Sequence, residues 1–229
     1  MAAVTAMVGK LKQPMSLAHI EDVLKDYREV QQRFVEGESR DFVKEVKDLH
    51  RDGNTIRFKF RWDNVRTWEE DEETREAKET FRCEAALRNT TGLTYVFVYS
   101  SAQESGYAMA RLGEALFRRL RQIQRVTPTP ALFEWILKEE LTSAKHGGFR
   151  IVRLPGTEHA SVSGSFNPKE NPYWRTYKRD GVITSLRYEH SGRAREYSIS
   201  SSAVYSVEGK AVDAAELERY VLTVLVPHL

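Results

Sequence analysis

Within residues 55–62, Thr-Ile-Arg-Phe-Lys-Phe-Arg-Trp, apolar and cationic side chains alternate without an exception from Ile56 onward. A period of two belongs to a strand with one buried and one solvated face. Ile56, Phe58, Phe60 and Trp62 are therefore expected in a core, and Arg57, Lys59 and Arg61 on the opposite side. The partner strands are legible too. Residues 42–49 read as the preceding strand, joined through Arg51-Asp52-Gly53-Asn54, a turn of the Asp-Gly kind that closes hairpins. Across 79–88, Phe81, Cys83, Ala85 and Leu87 alternate with Arg82, Glu84 and Arg88, and Asn89-Thr90-Thr91-Gly92 turns the chain into 93–99. Residues 42–99 thus read as four antiparallel strands.

Helices flank this sheet. Ser16 is a capping residue followed by Leu17, Ile20, Leu24, Tyr27, Val30, Phe34 and Val35 at helical spacing, with Gly37 beyond, which predicts a helix over 16–36. A second helix is expected over 105–124, with Tyr107, Leu112, Leu116, Leu120 and Ile123 on its inner side. Thr127-Pro128-Thr129-Pro130 is the strongest breaker in the chain and marks a boundary. Beyond it a helix is expected over 130–143, closed by His146-Gly147-Gly148, then short strands at 149–154 and 160–165. A hairpin follows at 181–189 and 194–202 around His190-Ser191-Gly192-Arg193, and a terminal helix over 212–226.

The second half repeats the plan of the first, since strand 93–99 runs into helix 105–124 as strand 197–204 leads to helix 211–226. The expected fold is α+β: an antiparallel sheet with helices packed on one face, as two similar helix-four-strand-helix halves at 16–126 and 130–229, packed together behind a flexible N-terminal arm at 1–15. Helix, four strands and helix, taken twice, resembles in architecture alone the saddle of the TATA-box-binding protein. No residue motif of that family accompanies the resemblance, and its one implication is a weak pointer to nucleic acid.

Composition narrows the class. With 41% hydrophobic and 30% charged residues the chain reads as an ordinary globular protein. It has no apolar run of membrane-spanning length and no secretory leader, so a cytoplasmic or nuclear protein, neither secreted nor membrane-bound, is expected. Cys83 stands alone, which excludes an internal disulfide and multi-cysteine metal sites and suits a small buried hydrophobe. The acidic block Glu69-Glu70-Asp71-Glu72-Glu73 reads as a solvated loop, and it leaves the remainder of a chain of net charge +2 basic.

No phosphate-binding loop, dinucleotide fingerprint, nucleophile elbow or zinc helix is present, and neither cofactor nor metal is expected. His159-Ala160-Ser161 has the form of a phosphoesterase element, but His190-Ser191 lacks the spacing of a partner element. Asp48, Asp52, Glu79, Glu84 and Lys59 are raw material for a metal-dependent nuclease. The best lead is cationic. Arg57, Lys59 and Arg61 would project at about 7 Å intervals, near the spacing of successive phosphates. Arg82 and Arg88 extend that face, Arg118 and Arg121 form an arginine-rich helix end, and Arg175, Lys178 and Arg179 interleave with Tyr173, Trp174 and Tyr177. These ten cations are the candidate nucleic-acid-binding residues. Non-enzymatic nucleic-acid binding, including DNA binding, is the expected function; a protein-interaction or assembly subunit, or a homo-oligomer, is the alternative, and a nuclease or phosphoesterase ranks third.

Overall fold

The computed structural model describes residues 2–70, 73–153, 156–190 and 195–229. Among them, antiparallel strands predominate and five α-helices accompany them, an α+β combination as the alternation predicted. The chain divides into two compact units, one comprising Gly9–Gln124 and the other Met1–Val8 with Arg125–Leu229.

The segment expected as a flexible arm is instead strand β1 (Ala2–Leu11), in which Ala6, Met7, Val8 and Leu11 are buried. A strand buried on both faces needs no alternation, so Ala-Met-Val in a row carried no period-two signal. Helix α1 (Leu17–Leu24) begins as predicted, with the Ser16 hydroxyl accepting from the His19 N–H at 3.2 Å. It stops twelve residues before position 36. Asp26 takes a positive φ of 56° and residues 28–35 form strand β2 (Arg28–Val35). The apolar spacing that looked helical fits a strand equally: Val30 and Phe34 lie on one side of β2, both exposed. Hairpin pairing decides the matter. Glu36 and Gly37 both have positive φ and turn the chain into β3 (Glu38–Asp52), which pairs with β2 from Val35↔Glu38 to Arg28↔Glu45.

Strand β4 (Thr55–Glu70) follows the predicted Asp-Gly turn, and β5 (Glu73–Thr90) pairs with it from Thr55↔Arg88 to Glu70↔Glu73. After the Thr91-Gly92 turn comes β6 (Leu93–Tyr99), and the strand order in this unit is β2-β3-β4-β5-β6. Of the acidic block, Glu69 and Glu70 end β4 and Glu73 begins β5, all three exposed, and Asp71 and Glu72 lie outside the described residues. Ser101 caps α2 (Ala102–Phe117), which Arg118 terminates in the left-handed conformation. The helix predicted over 105–124 is thus shifted toward the N-terminus; Leu120 lies beyond it and Ile123 opens the short strand β7 (Ile123–Arg125). Helices α1 and α2 contact each other and both contact β4, where Ile56, Phe58, Phe60 and Trp62 are at most 3% exposed.

In the other unit, Thr129 caps α3 (Pro130–Trp135), accepting from the Leu132 N–H at 3.2 Å, with Pro130 in the first turn. The helix passes into a π-helical turn, Ile136–Glu140, and strand β8 (Leu141–Ile151) starts at once. Gly147 and Gly148 do not end a helix; they lie inside β8, because a Cβ on Gly147 would overlap the Trp174 ring and one on Gly148 would meet Ser185 Oγ. Strand β9 (His159–Phe166) follows, and Leu154 and Pro155 before it lie outside the described residues. Residues 172–180, outside every predicted element, form α4 (Pro172–Asp180), capped by Asn171 through the Trp174 N–H at 2.9 Å. Strands β10 (Gly181–His190) and β11 (Glu196–Ser200) make the expected hairpin, whose turn from Ser191 to Ala194 lies outside the described residues. Strand β12 (Val204–Gly209) then leads to α5 (Ala214–Tyr220), capped by Asp213 and continued by a π-helical turn, Val221–Leu225. The strand order here is β9-β8-β10-β11-β12-β1. Among the described residues no helix is long and apolar enough to cross a membrane.

The Trp174 ring, 2% exposed, meets Phe149 edge-on at 4.9 Å and Phe166 at 5.5 Å, and Gly147 completes its seat. Gly147→Ala is expected to destabilise the protein by about 1–3 kcal/mol through overpacking. A denaturant midpoint equal to wild type would show that this seat has slack.

Candidate functional site

On β4 the three predicted cations alternate with the buried set. Lys59 is exposed and its Nζ lies 2.8 Å from Asp48 Oδ2. Arg61 donates through Nη1 to Glu45 Oε1 at 3.1 Å, and its Nη2 lies 3.7 Å from Asp63 Oδ1. Arg57 lies opposite His50 on β3 and Ala86 on β5 and is half-buried. Neighbouring strand β3 supplies the carboxylates. Its register slips between Lys47 and His50, and Asp48 at that bulge has a φ of 54°, which displaces it from regular alternation. Hydrogen bonding to Lys59 holds the Asp48 carboxyl below its ordinary range, and the same bond raises the Lys59 ammonium. Burial pushes the Glu45 carboxyl up, but hydrogen bonds from Lys47 and Arg61 outweigh it and leave Glu45 on the acidic side.

Arg82 lies directly opposite Arg61, exposed and with no ion pair among the described residues, whereas Arg88 is half-buried opposite Thr55. A cavity of about 530 Å³ is lined by Glu45, Lys59, Arg61, Arg82, Cys83 and Glu84. Both signs of charge meet there: Lys59 and Arg61 are paired with Asp48 and Glu45, and Arg82 has no ion pair among the described residues. Burial, with lesser help from Glu104 and Glu84, pushes the Cys83 thiol up to about 12, and it packs as a small hydrophobe.

Below this face lies a carboxylate that sequence reasoning missed. Asp63 accepts from the Val43 N–H at 2.9 Å and the Thr80 hydroxyl at 2.7 Å, and Lys78 Nζ approaches at 2.9 Å. Its position in the strand looked solvent-facing, and nothing local to Trp62-Asp63-Asn64 signals three donors drawn from two other strands.

The arginines near the end of α2 differ from those of the sheet. Arg111 is engaged by Glu114 at 3.1 Å, and Glu114 also holds Lys44 at 2.9 Å. Arg118 sits 4.0 Å from Glu29 and over the Tyr27 ring. Arg119 and Arg121 are exposed with no ion pair among the described residues.

In the other unit, Arg179 grips Asp180 through Nε at 2.9 Å and Nη2 at 2.8 Å, and Lys178 lies 2.7 Å from Glu134 Oε2. Arg175 is exposed with no ion pair among the described residues. Trp174 is core, while Tyr173 is 66% exposed. An Asn-Pro pair before a helical stripe was the available signal for α4.

The two enzymatic constellations are not assembled. His159 lies opposite Arg150 and His190 opposite Leu141, nine residues apart along β8 or about 30 Å. Glu84 faces Lys59, while Glu79 is five residues farther along β5, about 17 Å away, and 3.6 Å from Arg66. Among the described residues no group of three or more His, Cys, Asp or Glu side chains is placed to hold a metal ion. The chain matches no protein-family model and no curated protein sequence.

Proposed function

We propose that this chain is a non-enzymatic assembly subunit that docks a protein partner along β2. One observation carries the proposal: β2 is the outer strand of its unit's order, and Val30 and Phe34, 43% and 77% exposed, stand on the same side of it. An outer strand offers unpaired N–H and C=O groups, and exposed apolar side chains beside them provide pockets and anchors for an added strand. Trp68, 38% exposed near the tip of the β4–β5 ribbon, adds apolar surface to the same unit. Lys59 and Arg61 are already occupied by Asp48 and Glu45, which lowers what the sheet face can offer to phosphates.

Nucleic-acid binding remains the second proposal, supported by the exposure of Arg82, Arg119, Arg121 and Arg175 without ion pairs among the described residues. Two finer architectural points belong to the same proposal. Helices α1 and α2 would cover the face that carries Ile56, Phe58, Phe60 and Trp62. The order helix, antiparallel strands, helix in both units supports an internal duplication, with α4 an addition in the second.

The test is the double variant Val30→Glu with Phe34→Glu, purified beside wild type from the cells that make it. Both positions are exposed, so stability should stay within about 0.5 kcal/mol. Wild type is expected to bring down a stoichiometric protein partner and little nucleic acid, and the variant to lose that partner. A partner held equally by both proteins, or a preparation rich in nuclease-sensitive nucleic acid and free of other protein, would overturn the proposal.

A further inference from the structure

The unit containing α3 and α4 carries a groove of about 720 Å³ whose lining includes Trp174, Arg175 and Lys178 of the aromatic-basic segment. Its apolar lining is Trp135, Leu137, Leu141 and Pro168, and Lys138, Lys169, Arg175 and Lys178 stand around it. The groove is firmly built. Trp174, part of the lining, is locked by Gly147, Phe149 and Phe166, and Trp135 has one ring face stacked on His228 at 3.8 Å. Leu137 and Lys138 belong to the π-helical turn Ile136–Glu140. Such turns sacrifice regular hydrogen bonding and are found disproportionately at functional positions.

Charge and shape together specify the occupant. Glu134 at 2.7 Å answers Lys178 and Glu139 at 3.0 Å answers Lys138, whereas Lys169 and Arg175 have no ion pair among the described residues. Two positive charges are therefore left over beside an apolar floor. A nucleobase would need an open aromatic face for stacking. Trp174 is 2% exposed and Trp135 has one ring face taken by His228, so at most one aromatic face is left beside the aliphatic surface of Leu137, Leu141 and Pro168. A volume in this range accommodates a few side chains.

We propose that this groove docks an acidic segment of a partner protein, a leucine or phenylalanine anchor seated against Leu137 and Leu141 and flanking carboxylates paired with Lys169 and Arg175. The site rests on the assembly function proposed above but uses a different unit from β2, so the two can fail separately.

The probe is a short fluorescein-labelled peptide in which runs of Asp and Glu flank a Leu-Phe-Leu centre, titrated by anisotropy against the purified full chain. Wild type is expected to bind it with a salt-dependent affinity that falls about tenfold in the double variant Lys169→Glu with Arg175→Glu. The same peptide with a Ser-Ser-Ser centre is expected to bind comparably weakly to wild type. Both substituted residues are exposed, and an unchanged denaturant midpoint verifies the fold. Equal binding by wild type and variant, equal binding of the two peptides, or a labelled oligothymidylate binding as tightly as the Leu-Phe-Leu peptide would each overturn the groove assignment. Loss of the native partner by the β2 variant would be untouched by any of these results.

Discussion

Phe58→Ala is expected to lower the stability of the protein by about 3–5 kcal/mol, the cost of removing a large ring from a packed core. Phe58 is 3% exposed and lies between Ile56 and Phe60, which are buried on the same side of β4, with Ala85 opposite on β5. Helices α1 and α2 reach β4 with Leu17, Ile20, Leu24, Leu112 and Leu116 buried. Buried neighbours on β4 and β5 resist collapse into the vacated volume, which places the loss toward the upper part of that range. Exposed Lys59, one residue along, is the internal control: Lys59→Ser should change stability by less than about 0.5 kcal/mol. Urea unfolding of both variants separates the faces, and comparable losses in the two would refute the face assignment.

Asp63→Ala is expected to cost about 3 kcal/mol or more, because it orphans the Val43 N–H and removes the partner of Lys78. The pH dependence identifies the cause. Burial raises the Asp63 carboxyl, but hydrogen bonds from Lys78, Thr80 and the Val43 N–H outweigh it and leave the folded-state pKa below the ordinary value. A depressed carboxylate contributes stability that is fully present above the unfolded pKa of about 3.9 and is lost as pH falls through the folded value. The stability difference between wild type and Asp63→Asn should therefore be constant near neutrality and shrink below about pH 4. Glu45 and Glu114 are also on the acidic side, so the difference between the two proteins, and not the wild-type slope, is the diagnostic quantity. A difference that persists unchanged into acid would remove the charged network as its cause.

Local chemistry was readable wherever one segment carries its own instruction. The alternation of 55–62, the Asp52-Gly53 and Thr91-Gly92 turns, the Ser16 cap, the helix start at Pro130 and the burial of Cys83 depend on neighbours within a few residues, and each has its expected place. Errors arose where two local rules both fit. Residues 28–35 satisfy a helical stripe as well as a strand, and pairing with β3 settles the choice. Gly147-Gly148 resembles a helix stop, yet Gly147 is required by Trp174, 27 positions away, and Gly148 by Ser185, 37 positions away.

The candidate site depends still more on distance. The positions of Arg57, Lys59 and Arg61 on one strand followed from a period of two, which any strand imposes on its own side chains. Their electrostatic surroundings did not, because Glu45 and Asp48 reach them only through the β3–β4 register and the bulge between Lys47 and His50. The same holds for Asp63, whose donors come from positions 43, 78 and 80, and for the groove beside α4, which gathers residues from 134 to 178. Backbone periodicity is a property of consecutive residues and can be read along the chain. Which charges meet, and which stay unmatched, is a property of register between strands distant in sequence, and only the folded chain decides it.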